Sequence, residues 1–285
     1  MEAQAELFIE YLASERGLAP NTCESYTHDL KEFMAYLQTR AIRSLDGVTP
    51  ALVAEYLSFL QKNGKAASTV LRRLAAIRSF FRFLGERRQI RFNPTVGIAS
   101  PRAIRRTPQL LGHEEIASLL KQPDLREPIG LRDRAMLEVL YSSGLRVSEL
   151  IALDTPDISL EKGVLRCRQV ASKPRIIPLA PRVVECVDEY LVRGRSRLIR
   201  GTGEKALFVN HHGCRLTRQG FWKIMKAYAA AAGIKTPLTP RAFRYSFAAH
   251  LLAQGTELRK VQQILGHADI STTHNYTKLA QRRTD

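Results

Sequence analysis

The chain has 285 residues, 45% of them apolar, which is enough for one large domain or two modest ones with packed cores. It contains no apolar run of about eighteen residues and no basic-then-apolar signal pattern at its start, so we expect a cytoplasmic protein that does not enter a membrane. Its 44 lysines and arginines against 27 acidic residues give a net charge of +17. Because this charge is spread along the whole chain, it favours nucleic acid over a membrane surface as the partner.

The four cysteines are far apart and form no C-x-x-C pair, so we expect reduced thiols and no metal site.

The first hundred residues have the apolar periodicity of helices. Asn21, followed by Glu24, has the pattern of an N-cap with a capping box, and further helices are expected at about residues 50–62 and 68–84. The last of these carries arginines away from its apolar stripe, namely Arg72, Arg73, Arg78 and Arg82. A solvated basic face and a DNA-backbone contact both explain them, and we take Arg72, Arg73 and Arg78 as candidate DNA contacts.

The composition of the sequence changes between Pro94 and Pro108, where prolines and basic residues replace the apolar periodicity. This predicts a linker at 101–108 between a helical domain (1–100) and a mixed domain (109–285). In the second domain we expect a helix at 132–141 ended by Ser142-Ser143-Gly144. A β-hairpin of 164–169 with 175–179 should follow, with Gly163 in the turn before it. From 181 onwards we expect helices, apart from a short strand at 206–210. The fold class is therefore mainly α with a small β-hairpin.

Two of three further segments place arginines where a phosphate could bind. In the first, Tyr141 to Leu150, Arg146 follows a glycine turn, and Glu149 is close enough along a helix to hold the guanidinium as a fork for phosphate. In the second, Leu238 to Leu252, Arg241 and Arg244 share a helix face. Ordinary surface ion pairs and solvated arginines remain the alternatives when each segment is taken alone.

The third segment, Val261 to Thr277, contains His267 directly after a glycine and Tyr276 nine residues later. Alone, this tyrosine would be an ordinary core or surface residue. Together and in this order, the three segments resemble the tyrosine recombinase family, and most closely its bacterial Xer branch, over about residues 6–279. The signatures are Ser-Gly-Leu-Arg-x-Ser-Glu-Leu, Arg-x-Ser-Phe-Ala-x-His-Leu-Leu and Leu-Gly-His-x-x-Ile-Ser-Thr-Thr-x-x-Tyr.

The resemblance implies site-specific DNA recombination, with strand cleavage and rejoining through a 3′-phosphotyrosyl intermediate. It implies a helical core-binding domain and a catalytic domain that form a clamp around duplex DNA. Tyr276 would be the nucleophile, while Arg146, Arg244 and His267 would hold the phosphate and stabilise its transition state. No metal or other cofactor is expected, because the covalent link conserves the energy of the phosphodiester.

The expected partner is double-stranded DNA with a specific recombination site, bound by a homo- or heterotetramer. Whether a second recombinase takes part stays open. The sequence also leaves open whether the role is chromosome dimer resolution, integration of a mobile element or inversion.

Two positions depart from the family's pattern. Arg241 replaces the histidine of the His-x-x-Arg motif, and a guanidinium can bind phosphate but cannot act as a base. Val170 stands where the family has the hairpin lysine that acts as general acid. Lys173 is the nearest candidate for that acid, although it also matches the family's second, structural lysine. Arg168 is the other neighbour, and arginine is a poor acid at neutral pH.

These departures support an alternative function, a DNA-binding recombinase relative with weak or no cleavage that occupies sites or assists an active partner. A third hypothesis, an unrelated basic helical regulator, does not explain three ordered motifs.

Overall fold

The structure is a computed structural model that describes residues 1–100, 109–168, 174–201 and 203–266. The chain folds into two compact units, Met1–Arg106 and Thr107–Asp285. The expected linker 101–108 and the hairpin turn around Val170 and Lys173 lie outside the described residues, as do His267 and Tyr276. Within the described part of the chain, every helix is too short or too polar to span a bilayer.

The N-terminal unit is helical over its described residues. Its α-helices are α1 (Glu2–Ser14), α2 (Pro20–Thr39), α3 (Pro50–Lys62) and α4 (Ala67–Glu86). They bury an aromatic core that includes Phe8, Phe33, Tyr56, Phe80 and Phe81. Helix α3 has the expected bounds, and α4 extends one residue before and two beyond the expected 68–84.

The expected N-cap at Asn21 is wrong. Helix α2 begins at Pro20, and Ala19 is its N-cap with an extended backbone. Proline is suited to the first helical position because its fixed φ is already helical and its missing N–H is not needed there.

The expectation that Arg73 faces DNA is also wrong, because this side chain is 3% exposed. Its guanidinium forms ion pairs with Glu32 and, at 3.6 Å, with Asp29 of α2, and it donates to the Tyr56 hydroxyl at 3.2 Å. The periodicity of the sequence gives the face of α4 on which Arg73 lies. It does not show that two carboxylates of the neighbouring helix α2 lie opposite that face. Arg73 is therefore part of the core of this unit.

The C-terminal unit is mixed. Its helices are α5 (His113–Leu120), α6 (Pro128–Ser143), α7 (Val147–Ala152), α8 (Pro181–Glu189), α9 (Ser196–Leu198), α10 (Arg218–Ala231), α11 (Pro240–Ala253) and α12 (Leu258–Leu265). Its strands are β1 (Ile158–Ser159), β2 (Val164–Cys167) and β3 (Arg175–Pro178), which form an antiparallel sheet in that order. The apolar core surrounds α6, whose Leu137, Val139 and Leu140 are buried.

The expected hairpin is confirmed, with Val164 paired to Pro178 and Cys167 to Arg175. Gly163 precedes it with a φ of +60°, the left-handed region that favours glycine. Strand β1 was not expected.

The region after residue 181 is less uniformly helical than expected. A π-helical turn, Tyr190–Arg195, follows α8, and an irregular stretch precedes α10. The expected strand at 206–210 is reduced to two isolated bridges, Asp154 with Ala206 and Val209 with Arg215. No ladder forms because these two bridges pair with different segments of the chain.

Candidate active site

A glycine turn places Arg146 at the start of a helix. Gly144 ends α6 with a φ of +57°, and a Cβ at this position would come within 2.5 Å of the Phe247 ring. Arg146 is the N-cap of α7. Its backbone N–H donates to Glu149 at 2.7 Å and its Nη1 donates to the same carboxylate at 3.0 Å. The side chain is 43% exposed, so a carboxylate holds it while solvent still reaches it.

Glu149 joins this loop to two more arginines. Arg175 of β3 donates to both carboxylate oxygens, at 3.1 and 3.0 Å, and Nη1 of Arg244 lies 3.7 Å away. Burial alone would raise the pKa of Glu149, but the hydrogen bonds from Arg175 and Arg146 and their positive charges outweigh it and hold this pKa below its usual range. Glu149 is therefore a buried anion that orients the cations around it.

Cys167 of β2 interacts with the same carboxylate. Burial, followed by the charge of Glu149, raises the pKa of this thiol to about 11. The thiol is therefore neutral at pH 7 and adds no charge to the site.

Arg244 is held by backbone carbonyls. It is 8% exposed, and it donates to the Gly144 carbonyl at 2.7 Å and to the Leu265 carbonyl at the end of α12. These two contacts connect the second sequence segment to the first and third. The guanidinium is fixed in place before any ligand arrives, which lowers the cost of binding a phosphate.

Arg241 lies one helical turn before Tyr245. Its Nη2 donates to the Tyr245 hydroxyl at 2.9 Å, and its guanidinium carbon lies 5.1 Å from the centre of that ring. Its remaining N–H donors leave it able to bind a second group, such as a phosphate oxygen.

Arg146, Arg241 and Arg244 line one cleft of about 860 Å³. The described residues that line it are Arg146, Val147, Ser148, Arg218, Gln219, Trp222, Pro240, Arg241, Arg244 and Tyr245. Four of them are arginines and none is acidic. Such a wall attracts an anion, and guanidinium groups bind the oxygens of a phosphate in pairs.

Three lining residues, Arg218, Gln219 and Trp222, were not predicted from the sequence. They lie on the first turns of α10, which begins after Thr217, whose hydroxyl accepts the Gly220 N–H at 3.0 Å. The clue was present, since a basic residue, an amide and an aromatic ring lie at helical spacing. Only the fold brings them to the cleft.

The remaining predicted residues belong to the N-terminal unit or lie outside the described residues. Arg72 pairs with Asp29, and Arg78 donates to Ser100 at 2.8 Å and to the Ile98 carbonyl, all within the N-terminal unit. Tyr276, His267, Lys173 and Val170 lie outside the described residues.

Arg168 is described and pairs with Asp157 at 2.5 Å.

Both parts of the chain match known family models. The phage integrase family matches residues 109–283, and the phage integrase N-terminal SAM-like domain matches residues 5–88. The chain belongs to the phage integrase family of tyrosine recombinases. The resemblance found in the sequence, and the two-domain, mainly helical fold that it implied, are thereby confirmed.

Close relatives cover almost the full length of the integrase. It is 45% identical over 277 residues to tyrosine recombinase XerD of Halalkalibacterium halodurans, a match that covers 97% of this chain and 93% of that protein. It is 44% identical over 284 residues to tyrosine recombinase XerC of Herpetosiphon aurantiacus, covering 99% and 92%. Among solved structures, the XerH site-specific recombinase bound to palindromic difH substrate, a post-cleavage complex, has a TM-score of 0.78 at 23% identity, covering 98% of this chain and 82% of that one. This last similarity shows the shared fold.

Proposed function

We propose that this integrase is a site-specific recombinase that cuts and rejoins DNA, with Tyr276 as its nucleophile. The observation that carries the proposal is the cleft in which Arg146, Arg241 and Arg244 meet, two of them already fixed by Glu149 and by backbone carbonyls. Tyr276 ends the third motif, which begins where α12 ends.

In the proposed reaction, the Tyr276 phenol loses its proton and its oxygen bonds to the scissile phosphorus. The bond from phosphorus to the 5′ oxygen breaks, and that oxygen takes up a proton to leave as a hydroxyl. A phenol with an ordinary pKa near 10 is a weak nucleophile at pH 7. Arginines that stabilise the charge of the five-coordinate transition state compensate for this. The phosphotyrosyl link keeps the energy of the original bond, so a second strand's 5′ hydroxyl can reverse the step.

The substrate class follows from the relatives. The two relatives compared above are the tyrosine recombinases XerD and XerC, and the solved XerH complex holds a difH substrate. We propose a dif-like duplex as the target, a tetramer on DNA as the active assembly, and chromosome segregation as the cellular role. Pairing with a second recombinase of the same family is part of this proposal.

A duplex that carries a nick beside the cleavage position tests the chemistry. The cut fragment diffuses away, so religation stops and the covalent protein–DNA adduct accumulates. The site itself is first selected by binding from a pool of random duplexes. We expect an adduct whose DNA is linked through its 3′ phosphate.

The alternative, a recombinase relative that binds without cutting, is favoured by the replacement of the motif histidine with Arg241 and by Val170 in the hairpin. Trp222 is the only tryptophan of the chain and it lines the cleft. Its fluorescence therefore reports DNA binding at the cleft independently of cleavage, which distinguishes the two functions. DNA that changes Trp222 fluorescence without forming an adduct would establish the alternative and refute the recombinase.

A further inference from the structure

Arg175 contacts two other motifs from its place at the start of β3. Its Nε donates to the Ile264 carbonyl at 2.9 Å, and its Nη1 and Nη2 donate to the two oxygens of Glu149. The side chain is 10% exposed, and it is not among the described residues that line the cleft. Arg175 thus contacts the groups behind the arginines and not the space in which a phosphate would bind.

The contact with Ile264 falls at a chemically sensitive place. The last carbonyls of a helix have no partner within it. At the end of α12, Arg175 binds the carbonyl of Ile264 and Arg244 binds that of Leu265. The next residue, Gly266, has a φ of +63°, and a Cβ there would come within 2.9 Å of Arg175 Nη1. A glycine therefore leaves room for the guanidinium, directly before His267.

We propose that Arg175 is a positioning residue of the active site. It fixes three segments in one geometry: the Arg146 loop through Glu149, the end of α12 through Ile264, and the base of the hairpin turn through its own place in β3. This inference rests on the proposed function, because it assigns the reason for that geometry to catalysis.

The shape of the side chain matters more than its charge. Arginine presents a planar fork that binds both oxygens of a carboxylate while Nε points elsewhere, whereas lysine is a single point charge. Arg175→Lys keeps the charge beside Glu149 and removes the simultaneous contacts. Arg134→Lys is the matched control. Arg134 is 12% exposed, donates to the Glu138 carboxylate at 3.0 Å and to the Leu120 carbonyl at 2.6 Å, and lies away from the cleft.

Hydrogen exchange of the full chain tests the geometry without any activity. We expect the amides of α12 and Gly266 to exchange faster in Arg175→Lys than in the wild type, and to be unchanged in Arg134→Lys. Glu149→Asp, which withdraws the acceptor and leaves Arg175 in the chain, should act in the same direction. If the amides of α12 exchange at the wild-type rate in both Arg175→Lys and Glu149→Asp, the proposal is overturned.

Cleavage of the nicked duplex tests the consequence. At saturating DNA, the rate constant for adduct formation should fall by about 10- to 100-fold in Arg175→Lys, because small displacements of catalytic groups cost this much. The dissociation constant for DNA should stay within about twofold of the wild type, and Arg134→Lys should cut normally. A weaker affinity with an unchanged rate would refute the proposal by placing Arg175 on the DNA. If the wild type itself forms no adduct, the proposed function fails, and the exchange experiment still decides whether Arg175 holds α12.

Discussion

Glu149 is the residue on which the arginine geometry depends most directly. Its carboxylate is buried, accepts from Arg146 and Arg175, and has a pKa held below the usual 4.5. A depressed folded-state pKa stabilises the protein above the unfolded value, and this contribution is lost as the pH falls through the folded value.

Glu149→Gln should therefore destabilise the protein most at neutral pH. We expect a loss of about 3–5 kcal/mol at pH 7, typical of removing one partner from a buried ion pair. The difference from the wild type should narrow as the pH falls below 4.5, because the wild-type carboxylate is then being protonated. Urea unfolding of both proteins from pH 7 downwards measures it. A difference that stays constant with pH would show that Glu149 acts by packing alone.

Val170 raises a question of proton supply at the residue scale. Protonation of the leaving group contributes about 10²–10⁴-fold to rate in general acid catalysis. We predict that Val170→Lys speeds cleavage of an ordinary nicked duplex. If Lys173 is the acid, Lys173→Ala should be slow on the same duplex, and a 5′-bridging phosphorothiolate should restore its rate, because sulfur leaves without a proton. Equal wild-type rates on both substrates would mean that proton donation is not impaired, and an unaffected Lys173→Ala would exclude Lys173 as the acid.

Helix α4 carries two classes of arginine that a helical pattern does not separate. Arg73 is buried against Asp29 and Glu32, whereas Arg82 is exposed and has no hydrogen bond or ion pair among the described residues. The buried class maintains the fold, and the exposed class is available to bind a polyanion.

Arg73→Ala should lower the free energy of unfolding by about 3–5 kcal/mol, because it leaves buried Asp29 without one of its two arginine partners. Burial already raises the pKa of Asp29 despite Arg72 and Arg73, so losing Arg73 should raise it further. Thermal or urea unfolding is the measurement. If stability is unchanged and only the salt dependence of DNA binding falls, Arg73 binds DNA after all.

Arg72→Gln, Arg78→Gln and Arg82→Gln test the surface of the same helix. Each phosphate that the variant no longer neutralises should reduce the slope of log K against log salt by about one unit. Anisotropy of a labelled duplex at several salt concentrations measures it. If all three variants keep the wild-type slope, these arginines do not neutralise phosphates. They are then solvated charges or, for Arg72 and Arg78, residues whose contacts lie within the N-terminal unit.

Elements whose signals are local could be predicted from the sequence. Gly144, Arg146 and Glu149 lie within six positions, so the turn and the ion pair both followed from one segment. The hydrogen bonds from Arg175 to Glu149 and from Arg244 to Gly144 join positions 26 and 100 residues apart, and no pattern along the chain specifies them. The burial of Arg73 was missed for the same reason, because its ion-pair partners lie on α2 and its hydrogen-bond partner Tyr56 lies on α3. The cleft residues of α10 needed the tertiary fold as well.

At the scale of the whole molecule, the distribution of charge and the coverage of the relatives both involve the two units. The net charge of +17 runs through both units, and the relatives match at least 97% of the chain, so neither unit is left without a counterpart. We therefore expect both units to take part in the proposed DNA complex, the N-terminal helices through affinity and the arginine cleft through chemistry.

The central claim is that Tyr276 attacks a phosphate held by the arginines of this cleft. The most direct test isolates the adduct from the nicked duplex, digests the protein and finds by mass spectrometry which residue carries the nucleotide. We expect the modification on Tyr276, and we expect Tyr276→Phe to form no adduct while binding DNA with nearly unaltered affinity. A nucleotide on another residue, or an adduct that persists in Tyr276→Phe, would contradict the claim.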